Sequence, residues 1–127
     1  MGQLREIEPQ LKEMGHQLIG ISPDRPQKVR DTIEKFQLGF LLLSDSQMLA
    51  ARAFRVAYKL DDPTLKALQQ YGIDVEDASG ERHHLLPVPA VFLVGTDGLI
   101  CFQYVNPDYK VRLDPELLIA AARILRR

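Results

Sequence analysis

The sequence has 127 residues, the size of one ordinary domain, and its 16 basic and 17 acidic residues give a net charge of -1. A chain of this length can bury a core without metals or disulfides, and a charge near zero offers no strong field to phosphate backbones or anionic lipid. We therefore expect a single domain over residues 1–127 and neither nucleic acid nor a membrane as a partner.

The sequence also predicts a cytoplasmic location. No apolar run approaches the roughly 18 residues of a membrane span, and the N-terminus lacks the basic segment and apolar core of a signal peptide. The chain has one cysteine, which cannot form an internal disulfide, so nothing indicates an oxidising compartment.

The first half of the chain alternates helices with short apolar strands. An amphipathic helix ended by Gly15 is followed by a strand at 17–22, a helix at 26–36, a strand at 40–45 and a short helix at 46–54. The strands are apolar without clean alternation, which is typical of strands covered on both faces. This order predicts a parallel α/β sheet with right-handed crossovers.

The second half follows a different pattern. Residues 55–60 fit either a strand or an extension of the preceding helix, and 61–72 form a helix with a proline in its first turn. Residues 73–86 are rich in charge and predict an exposed loop. Two strands at 90–94 and 99–105 flank a Gly-Thr-Asp-Gly turn, the strongest hairpin signal in the chain, and a last helix begins near Asp114.

This order of elements is that of the thioredoxin fold without the strand that precedes its first helix. Closer likeness lies in QLIGISPDRPQK (17–28), LLLSDSQMLAARAF (41–54), LPVPAVFLVGTDGLI (86–100) and the closing segment 105–125. In these stretches the chain resembles peroxiredoxin-like proteins, the alkyl hydroperoxide reductase and thiol-specific antioxidant group. The resemblance runs from Gln3 to Leu125 and implies a thioredoxin-like mixed sheet with flanking helices and its N-terminal strand missing.

The resemblance implies a role for the proline that introduces the hairpin. In thioredoxin folds a proline at this position is held cis and faces the active thiol, and Pro89, after Val88, matches it. An X-Pro bond reaches the cis form at a cost of about 0.5–1 kcal/mol, so the geometry is accessible. The alternative is that Pro87 and Pro89 are trans and only make the loop rigid.

The resemblance also implies a function that this chain cannot perform by itself. These proteins reduce peroxides with a reactive cysteine at the N-terminus of the first helix, where the helix dipole stabilises the thiolate, and a thiol reductant then restores it. Neither Met1 nor Gly2 is a cysteine. We therefore expect a truncated, catalytically inactive chain without catalytic residues of its own, whereas an intact relative would use peroxide and a thiol reductant.

Cys101 is the one thiol of the sequence, in the second strand of the hairpin. It is a candidate for a peroxide-sensing or resolving residue. The alternative, which we favour, is a small apolar residue in or beside the sheet, because a strand interior offers no helix dipole and no cationic residue is its sequence neighbour.

The remaining polar residues predict no metal or cofactor. His83 and His84 point to opposite faces of an extended segment and are expected to be solvated, with His16 too remote to complete a site. The Gly-Thr-Asp-Gly turn leads into a strand and not into a helix that could hold phosphate. The other candidates are expected to be helix-capping serines and solvated arginines: Ser22, Ser44, Ser46, Arg25 and Arg52.

Two functions from different classes follow. The first is an inactive peroxide-reductase chain. The second is a non-catalytic thioredoxin-like module that self-associates into a homo-oligomer or accepts a strand from a partner. Loss of a central strand would leave two rows of unpaired backbone groups, each costing about 1–3 kcal/mol if buried, which a donated strand could satisfy.

Overall fold

The computed structural model describes residues 2–108 and 113–125, so residues 109–112 of the closing segment lie outside the described part. The described helices, in chain order, are α1 Gly2–Glu13, α2 Pro26–Phe36, α3 Leu49–Ala53, α4 Asp62–Gln70, α5 Val75–Ser79 and α6 Pro115–Ile124. The described strands are β1 Ile19–Ser22, β2 Leu41–Ser44, β3 Ala57–Lys59, β4 Leu85–Pro87, β5 Ala90–Val94 and β6 Ile100–Val105. The predicted α/β class is confirmed.

The described strands pair two by two, as β1 with β2, β3 with β4 and β5 with β6. The β3–β4 and β5–β6 pairs are antiparallel. The chain divides into two compact units: unit 1 contains Met1–Ile19, Gly39–Leu41 and Pro89–Arg127, and unit 2 contains Gly20–Leu38 and Leu42–Val88. The single domain over residues 1–127 stays a prediction.

Unit 1 holds α1, the β5–β6 hairpin and α6. Its core consists of Ile7 and Leu11 from α1 and Leu118 and Ala122 from α6. Apolar residues recur at intervals of three and four on both helices, so each presents one stripe to the other. Partly buried side chains of both hairpin strands pack against this cluster, namely Val91 and Phe102.

Unit 2 holds most of β1 and β2 together with the helices α2, α3, α4 and α5. Its helices begin at the residues that the sequence marks: α2 has a proline in its first turn, and the Asp61 carboxylate accepts a hydrogen bond from the Thr64 N–H at 2.8 Å to start α4. The buried hydrophobic side chains of this unit include Val29, Leu42, Met48, Ala51, Leu60 and Val75.

Two predictions in the second half of the chain need correction. The segment predicted as an exposed loop contains α5 and β4, because Asp74 caps α5 at 3.1 Å through the Asp77 N–H and Gly80 ends it in the left-handed conformation. The segment at 55–60, left open between strand and helix, contains β3, which pairs with β4.

The strands β1 and β2 also depart from the prediction of cover on both faces. Ile21 of β1 and Leu43 of β2 expose 48% and 47% of their surface, whereas Leu42, the neighbour of Leu43 in β2, exposes 5%. β2 therefore has one packed and one open side, whereas in β1 exposed residues alternate with half-buried ones. No helix in the described residues is both long enough and apolar enough to span a bilayer.

Candidate functional site

The segment between β4 and β5 carries the two residues that the resemblance assigned to the site. The Val88 N–H donates to the Val56 carbonyl at 2.7 Å, and the Pro89 carbonyl accepts from the Asn106 N–H at 3.2 Å. The Val88–Pro89 peptide bond is trans, so the expected cis geometry is wrong for this structure. The trans bond is the lower-energy isomer of an X-Pro pair, and here both flanking backbone groups find partners with it.

Both prolines lie at positions where the strand does not require a backbone N–H donor. Pro89 comes immediately before β5, which begins at Ala90, and Pro87 is the last residue of β4, where it opposes Ala57. Because proline lacks an N–H, it is tolerated at strand ends and excluded from central positions. The expectation that Pro89 immediately precedes a strand is confirmed.

Cys101 lies in β6, next to the irregularity in strand register between Leu93 and Val94. Its Sγ donates a weak hydrogen bond to the Leu93 carbonyl at 3.4 Å, and the residue is exposed. The thiol is thus in the sheet, as expected, yet it is open to solvent and not packed as a small core residue. The bulge accounts for this, since an extra residue in one strand redirects a side chain.

Polar side chains converge in unit 2 on the turn that follows β1. The Asp24 N–H donates to Ser22 Oγ at 3.1 Å, and the Ser44 hydroxyl donates to the Asp24 carbonyl. The Asp45 N–H donates to the Ser22 carbonyl at 2.6 Å, which ties the ends of β1 and β2 together. The two serines therefore fix this turn and do not cap helices.

Met48 occupies the N-cap position of α3, but the side chain that binds the first N–H groups of this helix is that of Asp45. Its carboxylate accepts hydrogen bonds from the N–H groups of Ala50 and Ala51 at 3.0 and 2.9 Å. Its two oxygens thus satisfy two of the unpaired N–H groups that begin a helix. The Ser46 carbonyl, in the same turn, accepts from His83.

Arg25 was predicted to be solvated, but contacts with α5 hold it at the start of α2. Its backbone N–H donates to the Ala78 carbonyl at 2.8 Å, and its Nη1 lies 3.7 Å from Asp77 Oδ1. Its Nε is buried without a hydrogen-bond partner. The hydrogen bond and charge of Lys28, followed by the charge of Arg25, lower the pKa of Asp77 from its ordinary value. Arg52, on α3, is exposed as predicted.

The histidines were expected to be solvated, and this is wrong for His83. Its Nε2 lies 2.7 Å from the Ser46 carbonyl, and its Nδ1 accepts from the Leu85 N–H at 3.0 Å. Thirty-seven residues separate His83 from Ser46, so no local pattern in the sequence could have indicated the contact. Within the described residues, no three His, Cys, Asp or Glu side chains form a group that could hold a metal ion.

The other two histidines have separate partners. His84 Nε2 lies 3.8 Å from Glu76 Oε2, and its side chain is 30% exposed. His16 Nε2 lies 3.4 Å from the Ala122 carbonyl in unit 1. The structure thus uses all three rings to tie segments of the chain together.

Comparison with known proteins places this architecture in a family. A model of the AhpC/TSA family matches residues 1–103, from α1 into β6. A Haemophilus influenzae protein that carries the name peroxiredoxin bcp is 43% identical over 53 residues, which make up 42% of this chain. The match spans 34% of that relative's own length. The helices and small sheets are consistent with the thioredoxin-like fold of the family. Since the family model covers most of its length, the chain belongs to the AhpC/TSA family.

Proposed function

We propose that this chain is the scaffold of a thiol-dependent peroxide reductase and that residues 1–127 alone turn over no peroxide. Membership of the AhpC/TSA family supports the reaction class. The proposal of inactivity rests on one observation: the single thiol in the sequence, Cys101, lies in a strand.

A strand position does not supply what peroxide reduction needs. The attacking species is the thiolate, which is favoured by the N–H groups at a helix N-terminus or by a neighbouring cation. Cys101 Sγ instead lies in β6 and donates a weak hydrogen bond to the Leu93 carbonyl at 3.4 Å. A resolving or reducing partner would therefore find no activated sulfur on this chain.

The test is peroxide consumption by the purified 127-residue polypeptide with dithiothreitol as the reductant. The matched variant is Cys101→Ser, whose hydroxyl can keep the hydrogen bond to the Leu93 carbonyl. We expect both proteins to consume hydrogen peroxide no faster than dithiothreitol alone, beside an active peroxiredoxin as positive control. Saturable consumption by the unaltered chain that Cys101→Ser abolishes would overturn the proposal.

A second candidate function is a non-catalytic module that binds another copy of itself. The half-open sides of Ile21 and Leu43 favour it, since apolar strand residues gain about 25 cal/mol for each Å² removed from water. A second copy that packed its own Ile21 and Leu43 against these side chains would remove both sets from water.

Light scattering coupled to size-exclusion chromatography tests this candidate. The unaltered chain should elute as a dimer or larger species, and Leu43→Thr, which replaces an apolar side chain in β2 with a polar one that strands accept, should shift it toward monomer. Leu99→Thr is the control, because Leu99 is 67% exposed but lies in the hairpin turn of unit 1. A monomeric unaltered chain at high concentration would exclude self-association.

A further inference from the structure

A groove of about 370 Å³ lies between α1 and α6, within unit 1. Its lining consists of Gln10 and Glu13 of α1, Met14 immediately after that helix, and Ile119 and Arg123 of α6. On each side the lining residues are three or four positions apart, so they share one face of their helix. The volume falls in the range of sites that hold small organic molecules, roughly 300–1,000 Å³.

The floor of this groove is apolar and is held in place by the core. Met14 and Ile119 are partly buried and pack against the buried cluster that joins α1 to α6. The backbone around them is also fixed, since the Met14 N–H donates to the Gln10 carbonyl at 3.2 Å and His16 Nε2 lies 3.4 Å from the Ala122 carbonyl. The two walls are therefore held at a set spacing, so binding requires little ordering of the chain.

The rim of the groove carries two opposite charges, one on each helix. Glu13 and Arg123 are both exposed, and neither makes an ion pair within the part of the chain that the structure describes. The Glu13 carboxylate can therefore accept from a cation, and the Arg123 guanidinium can donate two parallel hydrogen bonds to a carboxylate. The Gln10 amide, one turn before Glu13, adds a further donor and acceptor.

We propose that this groove binds a small zwitterion with an aliphatic side chain, of the α-amino acid class. The ammonium group of the ligand donates to Glu13, and its carboxylate accepts from the guanidinium of Arg123. The aliphatic side chain lies on Met14 and Ile119, where both surfaces are removed from water. A molecule with only one of the two charges leaves Glu13 or Arg123 without a partner, so full affinity requires both.

A second copy of the chain fits this groove less well than a small molecule does. A two-fold contact would set the groove against the same groove of the other copy, because such an interface uses one surface patch twice. Two concave surfaces that face each other leave a void, and the atoms around a void lose their packing contacts. Neither Cys101 nor Pro89 lines the groove, so the proposed site is separate from the residues considered for peroxide reduction.

Nuclear magnetic resonance of the full nitrogen-15-labelled chain tests the site, with L-leucine as the probe. The amide signals of Met14, Ile119 and Arg123 should shift saturably, with a dissociation constant of about 1 mM. N-acetyl-L-leucine lacks the ammonium charge and L-leucinamide lacks the carboxylate, so each should bind about tenfold more weakly. The two analogues also mimic the ends of a peptide and thus distinguish them from a free amino acid. Equal binding of leucine and either analogue, or unchanged signals at about 20 mM leucine, would overturn the proposal.

Two substitutions assign each charge of the ligand to its partner. Arg123→Gln should weaken leucine binding by about tenfold and leave leucinamide binding unchanged, whereas Glu13→Gln should weaken leucine binding equally and leave N-acetyl-L-leucine binding unchanged. Glu6→Gln is the control, because it removes the same charge from α1 about two turns before the groove and should bind leucine like the unaltered chain. Leucine binding that neither Arg123→Gln nor Glu13→Gln weakens would contradict the assignment. The comparison of the three probes uses the unaltered chain, so the test stands even if a variant fails to fold.

Discussion

Lys28 Nζ lies 3.2 Å from Asp77 Oδ2, and this ion pair joins the first turn of α2 to α5. Arg25 adds a second, longer contact to the same carboxylate. The Asp77 side chain is 54% exposed, so the pair is screened by water and salt. Its effect is nonetheless visible in the pKa of Asp77, which Lys28 and Arg25 lower from the ordinary value of 3.8.

The lowered pKa predicts how the contact depends on pH. A carboxylate whose folded pKa lies below its unfolded pKa stabilises the fold fully above the unfolded value, and this contribution is lost as pH falls below about 3.8. Asp77→Asn should therefore lower the urea midpoint at neutral pH, and the difference from the unaltered chain should shrink in acid. Lys28→Gln should reproduce this behaviour. A difference that stays constant with pH would contradict the ion-pair explanation.

The cap on α3 gives a second prediction. Asp45→Ala removes the acceptor for the Ala50 and Ala51 N–H groups and should lower the free energy of unfolding by about 0.5–2 kcal/mol. Urea denaturation followed by circular dichroism measures this. Ser46→Ala, in the same turn, is the control. It should change stability by less, because the contact of Ser46 with His83 is made by the backbone carbonyl, which the substitution keeps. Equal losses in the two variants would argue against capping.

The core of unit 1 gives a third prediction. Leu118 is 5% exposed and packs with Ile7 and Leu11, so Leu118→Ala should lower the free energy of unfolding by about 2–5 kcal/mol. The neighbouring Leu117 is 49% exposed, and Leu117→Ala should have a much smaller effect on the same denaturation curve. Similar losses would mean that α6 packs through a different face.

The hairpin turn gives a fourth prediction. Gly98 has a φ of +82°, and a built Cβ there meets no atom within 4 Å, so Gly98→Ala should destabilise through backbone strain alone, by about 1 kcal/mol. Gly39→Ala is the matched control, because its Cβ would also meet nothing within 4 Å and it lacks a positive φ. Thermal unfolding should show a lower midpoint for Gly98→Ala only.

The parts of this fold that were predictable from the sequence are those specified by neighbouring residues. The helix α2 runs from Pro26 to Phe36 as its apolar spacing predicts, and the hairpin follows from its glycine-containing turn. In each case the signal and the structure lie within a few residues of one another, so periodicity and turn chemistry are sufficient.

The parts that were missed depend on contacts distant in sequence or on very short elements. The helix α5 has five residues, too few to show a period, although Asp74 and Gly80 marked its ends. The three-residue strands β3 and β4 exist because they pair with each other. The resemblance assigns the candidate segment to Val88 and Pro89, but the isomer of the bond between them depends on surroundings that the local sequence does not encode.

The two helices that pack against each other in unit 1, α1 and α6, are synthesised at different times. The His16–Ala122 contact joins residues 106 apart, so the ribosome releases α1 long before the helix that covers its apolar stripe exists. Unit 2 contains no residue beyond Val88 and is therefore synthesised in full before α6. A nascent chain stalled before α6 would therefore leave Ile7 and Leu11 without the helix that they pack against.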